Sequence, residues 1–161
     1  MDIRRADRGD QVAIGNLILP WDRDNGPRYK DGRGRVSERE FVAEDADGIV
    51  GWISGQHDAR VWQFLAAYED QPDNWACSLI VKFFVQKERR RQDIGADLLA
   101  FFERDAQDAG RDLVVVSPDE KGEKERLLSF YRKHGYEYMD PCSDYSTRPP
   151  WFMAKSLPVL R

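Results

Sequence analysis

The stretch Phe83 to Leu99, FFVQKERRRQDIGADLL, constrains the chain most, because an apolar strand breaks there into a basic turn and restarts at once as a helix. Trp75 to Val85 reads as the strongest strand, long enough for a central element that bends before leaving its sheet. Ile94 to Asp108 then sets Leu98, Leu99, Phe102, Asp105, Ala106 and Ala109 on one side, with Gly110 as its stop, so period and punctuation both predict a helix. Such a junction suits an anion: the first turn of a helix leaves backbone N–H groups without intrahelical partners, and its dipole favours negative charge. Lys87, Arg89, Arg90 and Arg91 stand in the turn against the single Glu88. A phosphate-bearing cofactor is the anion the pattern points to, and a solvated charged turn is the other reading of such a run taken alone.

The remaining segments arrange themselves around that junction. Met1 to Ala6 reads as a first strand, and Gln11 to Leu19, with Val12, Ile14, Leu17 and Leu19, as a short helix ended by Pro20. Trp21 to Ser37 is rich in glycine and charge and reads as a loop or weakly formed helix, a candidate lid on the substrate side. Glu40 to Asp45 and Gly48 to Ser54 predict adjacent antiparallel strands, since Asp47-Gly48 between such runs is a hairpin signal. In Ala59 to Tyr68 the spacing of Val61, Trp62, Phe64, Leu65 and Tyr68 favours an inserted helix over an extended strand. Asp112 to Val116 predicts a buried strand, and about Glu123 to His134 a helix with Leu127, Leu128, Phe130 and Tyr131 inward, ended by Gly135. Tyr136 to Met139 resumes as strand, and Trp151 to Leu157 is the last, after the Pro149-Pro150 break. Strands first and then β-α-β-α-β predicts an α+β or mixed α/β sheet, in one compact domain.

Charge and composition remove several function classes. A formal net charge of -4 disfavours a general nucleic-acid binder, whose footprint would be a net basic surface. No apolar run approaches the roughly 18 residues that a membrane-spanning helix needs, so no membrane partner is expected. Cys77 and Cys142 are two thiols far apart, and the start MDIRRADRGDQ lacks the character of a secretory leader. Those features predict a reducing, cytoplasmic compartment.

Two motifs taken together carry a resemblance. Arg90-Arg91-Gln92-Asp93-Ile94-Gly95 follows the strong strand, and Phe130-Tyr131-Arg132-Lys133-His134-Gly135-Tyr136 closes the later helix. In that order and spacing they resemble the GNAT superfamily, the acyl-CoA-dependent N-acetyltransferases, over roughly Trp75 to Leu157 and more loosely from the N-terminus. The family's acetyl-CoA loop has the form Gln/Arg-x-x-Gly-x-Gly/Ala, and Asp93 stands where its first glycine usually does. That carboxylate either caps the helix, in competition with phosphate, or turns outward.

The resemblance implies a GNAT-like single domain over residues 1–161: a central, mostly antiparallel twisted sheet with a splayed parallel strand pair, flanked by helices. It implies acetyl-CoA as cosubstrate, with no metal, bound by Phe84, Val85, Arg90, Arg91, Gln92, Asp93, Ile94, Gly95, Ala96 and Lys124. The main-chain donor of Val85 would orient the thioester carbonyl, and Gly95 would let the backbone approach the pyrophosphate. Lys124 stands where many members carry an asparagine; it suits a phosphate as a point charge, or pairs with Glu120 or Glu125. Tyr131 would be the general acid that protonates the departing thiolate, where periodicity alone also allows a core tyrosine.

The general base has the weakest signature. The strand Ser78-Leu79-Ile80-Val81-Lys82-Phe83-Phe84 carries no acid where the family often uses a glutamate or an ordered water. Glu69 is the residue named for that role, beside Asp70, Asp73, Glu40, Glu44 and His57, and each of these also reads as a solvated carboxylate or a surface-loop histidine. Trp21, Trp52, Trp62 and Trp75 are candidates for an acceptor pocket, with Asp22 or Asp24 attracting a cationic amine, although large aromatics usually serve a core. The function implied is an N-acetyltransferase that moves the acetyl group directly to a primary amine of a small molecule or protein, with a homodimer common in the family. A non-catalytic acyl-CoA-binding or regulatory domain is the alternative to which Asp93 and the missing strand acid point, and a purely structural interaction module is the third.

Overall fold

A computed structural model of the chain describes residues 1–34, 39–71, 75–118, 124–142 and 152–158. Among these the strands are β1 (Asp2–Arg5), β2 (Arg39–Asp45), β3 (Gly48–Arg60), β4 (Ala76–Val85), β5 (Leu113–Val116), β6 (Glu137–Met139) and β7 (Phe152–Ser156). The helices are α1 (Gln11–Ile18), α2 (Gly26–Lys30), α3 (Ile94–Asp108) and α4 (Lys124–Lys133). The strands lie in one sheet in the order β1-β2-β3-β4-β5-β7-β6. β4 and β5, joined through α3, run parallel from Ser78↔Val114 to Ile80↔Val116, while β1–β2, β2–β3, β5–β7 and β6–β7 are antiparallel. β4 continues to Val85 beyond its last pair with β5, so the parallel pair ends after Ile80. This is the mixed α/β sheet that the order of elements predicts.

The chain packs as two compact units, Met1–Gly55 with Lys82–Arg104, and Gln56–Val81 with Asp105–Arg161. In the first, β2 is buried on both faces, as its apolar run Phe41-Val42-Ala43 requires. Phe41 turns to α3, its ring 5.1 Å from Phe101 and 6.4 Å from Phe102. Val42 turns the other way, into a cluster with Ile14 and Ile18 of α1, Tyr29 of α2 and Trp52 of β3. α1 and α2 touch because Gly15 has no side chain: a Cβ there would stand 2.3 Å from the Lys30 nitrogen.

The second unit centres on Ala59, Val61, Leu65, Cys77, Leu113, Val115, Phe152 and Ala154. Here the expected helix over Ala59 to Tyr68 is corrected. β3 runs on to Arg60, and two single 3-10 turns follow, Val61–Gln63 and Ala66–Tyr68. Between them Leu65 is fully buried, and it bridges to Pro141 while Ala66 N–H donates to the Asp140 carbonyl at 3.1 Å. The first turn buries Val61 and the second buries none of its residues, so no continuous helix face forms. The expected Pro149-Pro150 break and Trp151 lie outside the described residues.

Candidate functional site

In the first unit the strand-turn-helix junction is held from both sides. Arg90 Nε donates to the Val85 carbonyl at 3.1 Å, and its guanidinium lies 5.4 Å from the centre of the Phe84 ring. Arg89 binds the carboxylates of Asp45 and Asp47 in the β2–β3 turn, so this cation is engaged in holding the junction. Lys87 and Arg91 remain exposed. Arg91 and Asp93 take φ of 71° and 62°, the left-handed region. The backbone at Asp93 thus has the conformation that glycine adopts freely, and aspartate is among the side chains that tolerate it best. Gln92 between them is not in the left-handed region, and an alternation of hand along the backbone is a device that lets N–H groups face an anion. The first intrahelical bond of α3 is Asp97 N–H to the Asp93 carbonyl at 2.9 Å. The amides of Ile94, Gly95 and Ala96 therefore precede the helix's own bonding.

In the second unit the motif around Tyr131 has a local physical meaning. Gly135 takes φ 91°, its N–H donates to the Arg132 carbonyl at 3.1 Å, and Tyr136 N–H donates to the Tyr131 carbonyl at 3.0 Å. That pair of bonds is a Schellman stop, which usually brings an apolar contact between the two residues it joins. Here the contact is aromatic: the Tyr131 and Tyr136 rings meet edge to face with centres 5.4 Å apart, and Phe130 lies 5.3 Å from Tyr131 on another side. Tyr131 is 4% exposed. Lys124 opens α4, Glu69 is an exposed residue just after the second 3-10 turn, and Asp70 is exposed beside it. Asp73 and Glu120 lie outside the described residues.

His57, read from sequence as a loop residue, sits instead buried on β3. Its Nδ1 lies 2.6 Å from Ser78 Oγ and its Nε2 2.7 Å from Asp105 Oδ2, while Arg111 donates to its carbonyl. A serine, a histidine and an aspartate in line resemble a nucleophilic triad, but Ser78 is 0% exposed and no substrate carbonyl reaches it. The three tie β3, β4 and the end of α3 together. Burial pushes the neighbouring Cys77 thiol up to about 12, which makes it inert.

The first unit also holds a polar network whose members the sequence named singly but whose pairings it did not show. Glu40 is 4% exposed, and its Oε1 accepts from Tyr29 Oη at 2.8 Å and from Trp52 Nε1 at 3.2 Å. Burial raises its carboxyl above the ordinary range, against the lowering effect of those two donors. Asp22 accepts from Lys82 Nζ at 2.7 Å and from Asn25 Nδ2 at 2.9 Å. Burial works to raise Asp22, but Lys82 and the Asn25 side chain and backbone outweigh it and bring the carboxyl to about 2. Trp21 stacks on Phe84 at 5.1 Å, with Lys82 Nζ 5.6 Å from the Trp21 ring centre. Asp22 is therefore paired with Lys82, whereas Asp24 is exposed. Trp21 and Trp52 belong to this unit, and Trp62 and Trp75 to the other. In the sequence Glu40 is one of several acids named for the base, and nothing local singles it out, because its partners are 11 and 12 residues away. Among the described residues no group of three or more His, Cys, Asp or Glu is disposed to hold a metal, and no helix is long and apolar enough to cross a membrane.

Comparison with known proteins places these features in context. Residues 37–138 match the profile described as an acetyltransferase (GNAT) domain. An aminoglycoside 6'-N-acetyltransferase complexed with coenzyme A is similar in structure, with a TM-score of 0.68 at 18% identity over 100% of both chains. A GNAT-family acetyltransferase from Staphylococcus aureus Mu50 has a TM-score of 0.65 at 18% identity, covering 98% of this chain and 99% of that one. The PaiA N-acetyltransferase of Thermoplasma acidophilum, in complex with coenzyme A, has a TM-score of 0.67 at 14% identity, covering 96% and 98%. No curated protein matches the chain by sequence.

Proposed function

Since the chain belongs to the GNAT acetyltransferase family, we propose that it moves the acetyl group of acetyl-CoA directly onto a primary amine of a small molecule or protein. The observation that carries this reading is the left-handed backbone at Arg91 and Asp93 ahead of α3. Holding two side-chain-bearing residues there costs about 1–2 kcal/mol each, and such strain persists where the surroundings demand it. Two of the similar structures hold coenzyme A, which supports the same cosubstrate for this chain.

Acetyl-CoA supplies an acyl carbon already activated as a thioester. The amides of Arg91, Gln92, Asp93, Ile94, Gly95 and Ala96 fit its pyrophosphate, with the α3 dipole and the exposed Lys87 and Arg91 adding attraction of about 0.3–1 kcal/mol for each charge. Arg90 and Phe84 keep the turn fixed to the end of β4, where the main-chain N–H of Val85 orients the thioester carbonyl. Lys124 adds a cation at the start of α4. Tyr131 gives its phenolic proton to the departing sulfur. Buried free thiols at Cys77 and Cys142 suit a cytoplasmic setting, and a homodimer is the assembly to look for by light scattering.

Calorimetric titration with acetyl-CoA tests the cofactor side. Saturable binding that is lost in a folded Gly95→Leu variant is the expected result, and a folded wild-type protein that binds no acetyl-CoA refutes the reading. Consumption of acetyl-CoA in a panel of primary amines tests turnover. Binding without consumption by any amine favours the second reading, a binding or regulatory domain, to which the aspartate at the glycine position already points.

A further inference from the structure

We infer that Asp45 and Asp47, in the turn between β2 and β3, are positioning residues for acetyl-CoA: through Arg89 they hold the backbone of 90–93 in the form that receives the pyrophosphate. The inference rests on the acetyl-CoA reading above. It takes Arg89 out of the set of cations that meet phosphate and makes it a strut.

The turn needs such a strut between two fixed ends. At one end Gln86 N–H donates to the Val50 carbonyl of β3 at 2.8 Å. At the other Ile94 is buried where α3 begins, and α3 lies so close to β3 that a Cβ on Gly51 would stand 2.8 Å from Leu98 Cδ1 and 3.1 Å from Ile94 Cγ2. Between those ends come one 3-10 turn, Lys87–Arg89, and then the left-handed Arg91 and Asp93. Side-chain-bearing residues keep that backbone only where their surroundings over-determine it. Arg90 ties the turn back to the strand it leaves, through the Val85 carbonyl and the Phe84 ring. Arg89 ties it to a different element, a hairpin more than 40 residues upstream.

The hairpin is built to receive a guanidinium. Asp45 Oδ1 accepts from Asp47 N–H at 2.8 Å, which shapes the turn and leaves Oδ2 for Arg89 Nη1, while Nη2 goes to Asp47 Oδ2. The planar fork thus spans two carboxylates, which the point charge of a lysine does not reproduce. The Asp45 side chain is 18% exposed and that of Asp47 77%, so Asp45 carries more of the hold. Direction separates a strut from a field. Two carboxylates against one guanidinium leave a net negative charge on the group that carries the turn, so removing an acid favours an anion by charge. A loss of acetyl-CoA affinity on removing that acid therefore comes from lost position.

Calorimetric titration with acetyl-CoA tests the assignment. Apparent affinity falls in proportion to the share of molecules in the receiving form, so Asp45→Asn should weaken acetyl-CoA by about 5–20-fold and the more exposed Asp47→Asn by about 2–3-fold. Arg89→Lys, which keeps the charge, should lose about as much as Asp45→Asn, and the two together little more than either alone, since both act through one link. The same charge removed at Asp97, exposed in the first turn of α3, should leave the affinity unchanged or raise it. In turnover with the best acceptor of the amine panel, Asp45→Asn should raise the KM for acetyl-CoA and leave kcat within about twofold, a split that a general loss of structure would not give. If Asp45→Asn does not fold, Arg89→Lys and Asp47→Asn carry the test. A folded Asp45→Asn or Arg89→Lys protein that binds acetyl-CoA as tightly as the wild type overturns the proposal and leaves the acetyltransferase reading intact. So does an Asp97→Asn protein that loses as much as Asp45→Asn. Failure of the wild-type protein to bind acetyl-CoA overturns that reading, and this proposal with it.

Discussion

The pair Lys82–Asp22 offers a stability test that can be worked from the structure. Asp22 is 11% exposed and Lys82 33%, with 2.7 Å between Nζ and Oδ2. Asp22 titrates at about 2 in the folded protein, whereas an aspartate in the unfolded chain titrates near 3.9. The folded value is the lower of the two, so the folded state gains from the ionised form. That gain is complete above about pH 5 and is lost as pH falls through 3.9 toward 2. The full linkage is roughly 2.5 kcal/mol, and solvent at the partly exposed lysine reduces it to about 1–2 kcal/mol. Asp22→Asn keeps the shape and the contact with Asn25 while removing the charge. It should lower Tm by roughly 3–8 °C at neutral pH for a chain of this size. Urea unfolding followed by tryptophan fluorescence, in steps from about pH 7 down to about pH 3, should show the gap between wild type and variant closing on the acid side. Lys82→Met should remove much of the same increment, and the double variant should lose less than the two single losses combined. A gap that stays constant with pH would refute the reasoning, because the loss would then come from packing and not from ionisation.

Tyr131→Phe should lower kcat by about 10²-fold or more with acetyl-CoA affinity nearly unchanged, as stopped-flow turnover beside calorimetry will show; equal losses in both count against the acid role. Asp93→Gly should relieve the left-handed backbone at φ 62° and stabilise the protein by about 1 kcal/mol, with acetyl-CoA binding retained or tightened, whereas Asp93→Val should weaken both. A Tm unchanged by either substitution would refute the strain argument. His57→Ala leaves Ser78 and Asp105 without their shared partner and should cost about 2–4 kcal/mol in denaturant unfolding. A loss below about 0.5 kcal/mol would show that the three-residue tie carries no stability.

What the chain shows in one dimension is what depends on near neighbours. α3 was legible because its apolar period and Gly110 are local, and β2 with β3 because the Asp47-Gly48 turn lies between them. The stretch after Ala59 misled because one 3-10 turn and one α turn space their apolar residues almost alike over so few residues. β3 was read too short, since its continuation to Arg60 is secured by partners of His57 that lie 21 and 48 residues away. The basic turn and Tyr131 were legible as motifs, yet the division of labour within the turn was not. That Arg89 serves Asp45 and Asp47 while Arg91 stays exposed follows from a hairpin packed more than 40 residues upstream. Glu40 is the extreme case: an ordinary acid in the sequence becomes distinctive only when α2 and β3 bury it and bring it two donors.

The helix stop at Gly135 has a consequence for how this chain can change. Tyr131 is at once the carbonyl that the stop engages and the ring that the stop's Tyr136 touches, so the phenol and the end of α4 form a single rigid measure. Arg132 and Lys133 are exposed between them and can be exchanged for other helix formers at little cost. Their number cannot change: one inserted residue would swing the phenol about 100° around the helix axis relative to the glycine that anchors it. Drift in residue type is cheap along this stretch, and drift in length is closed.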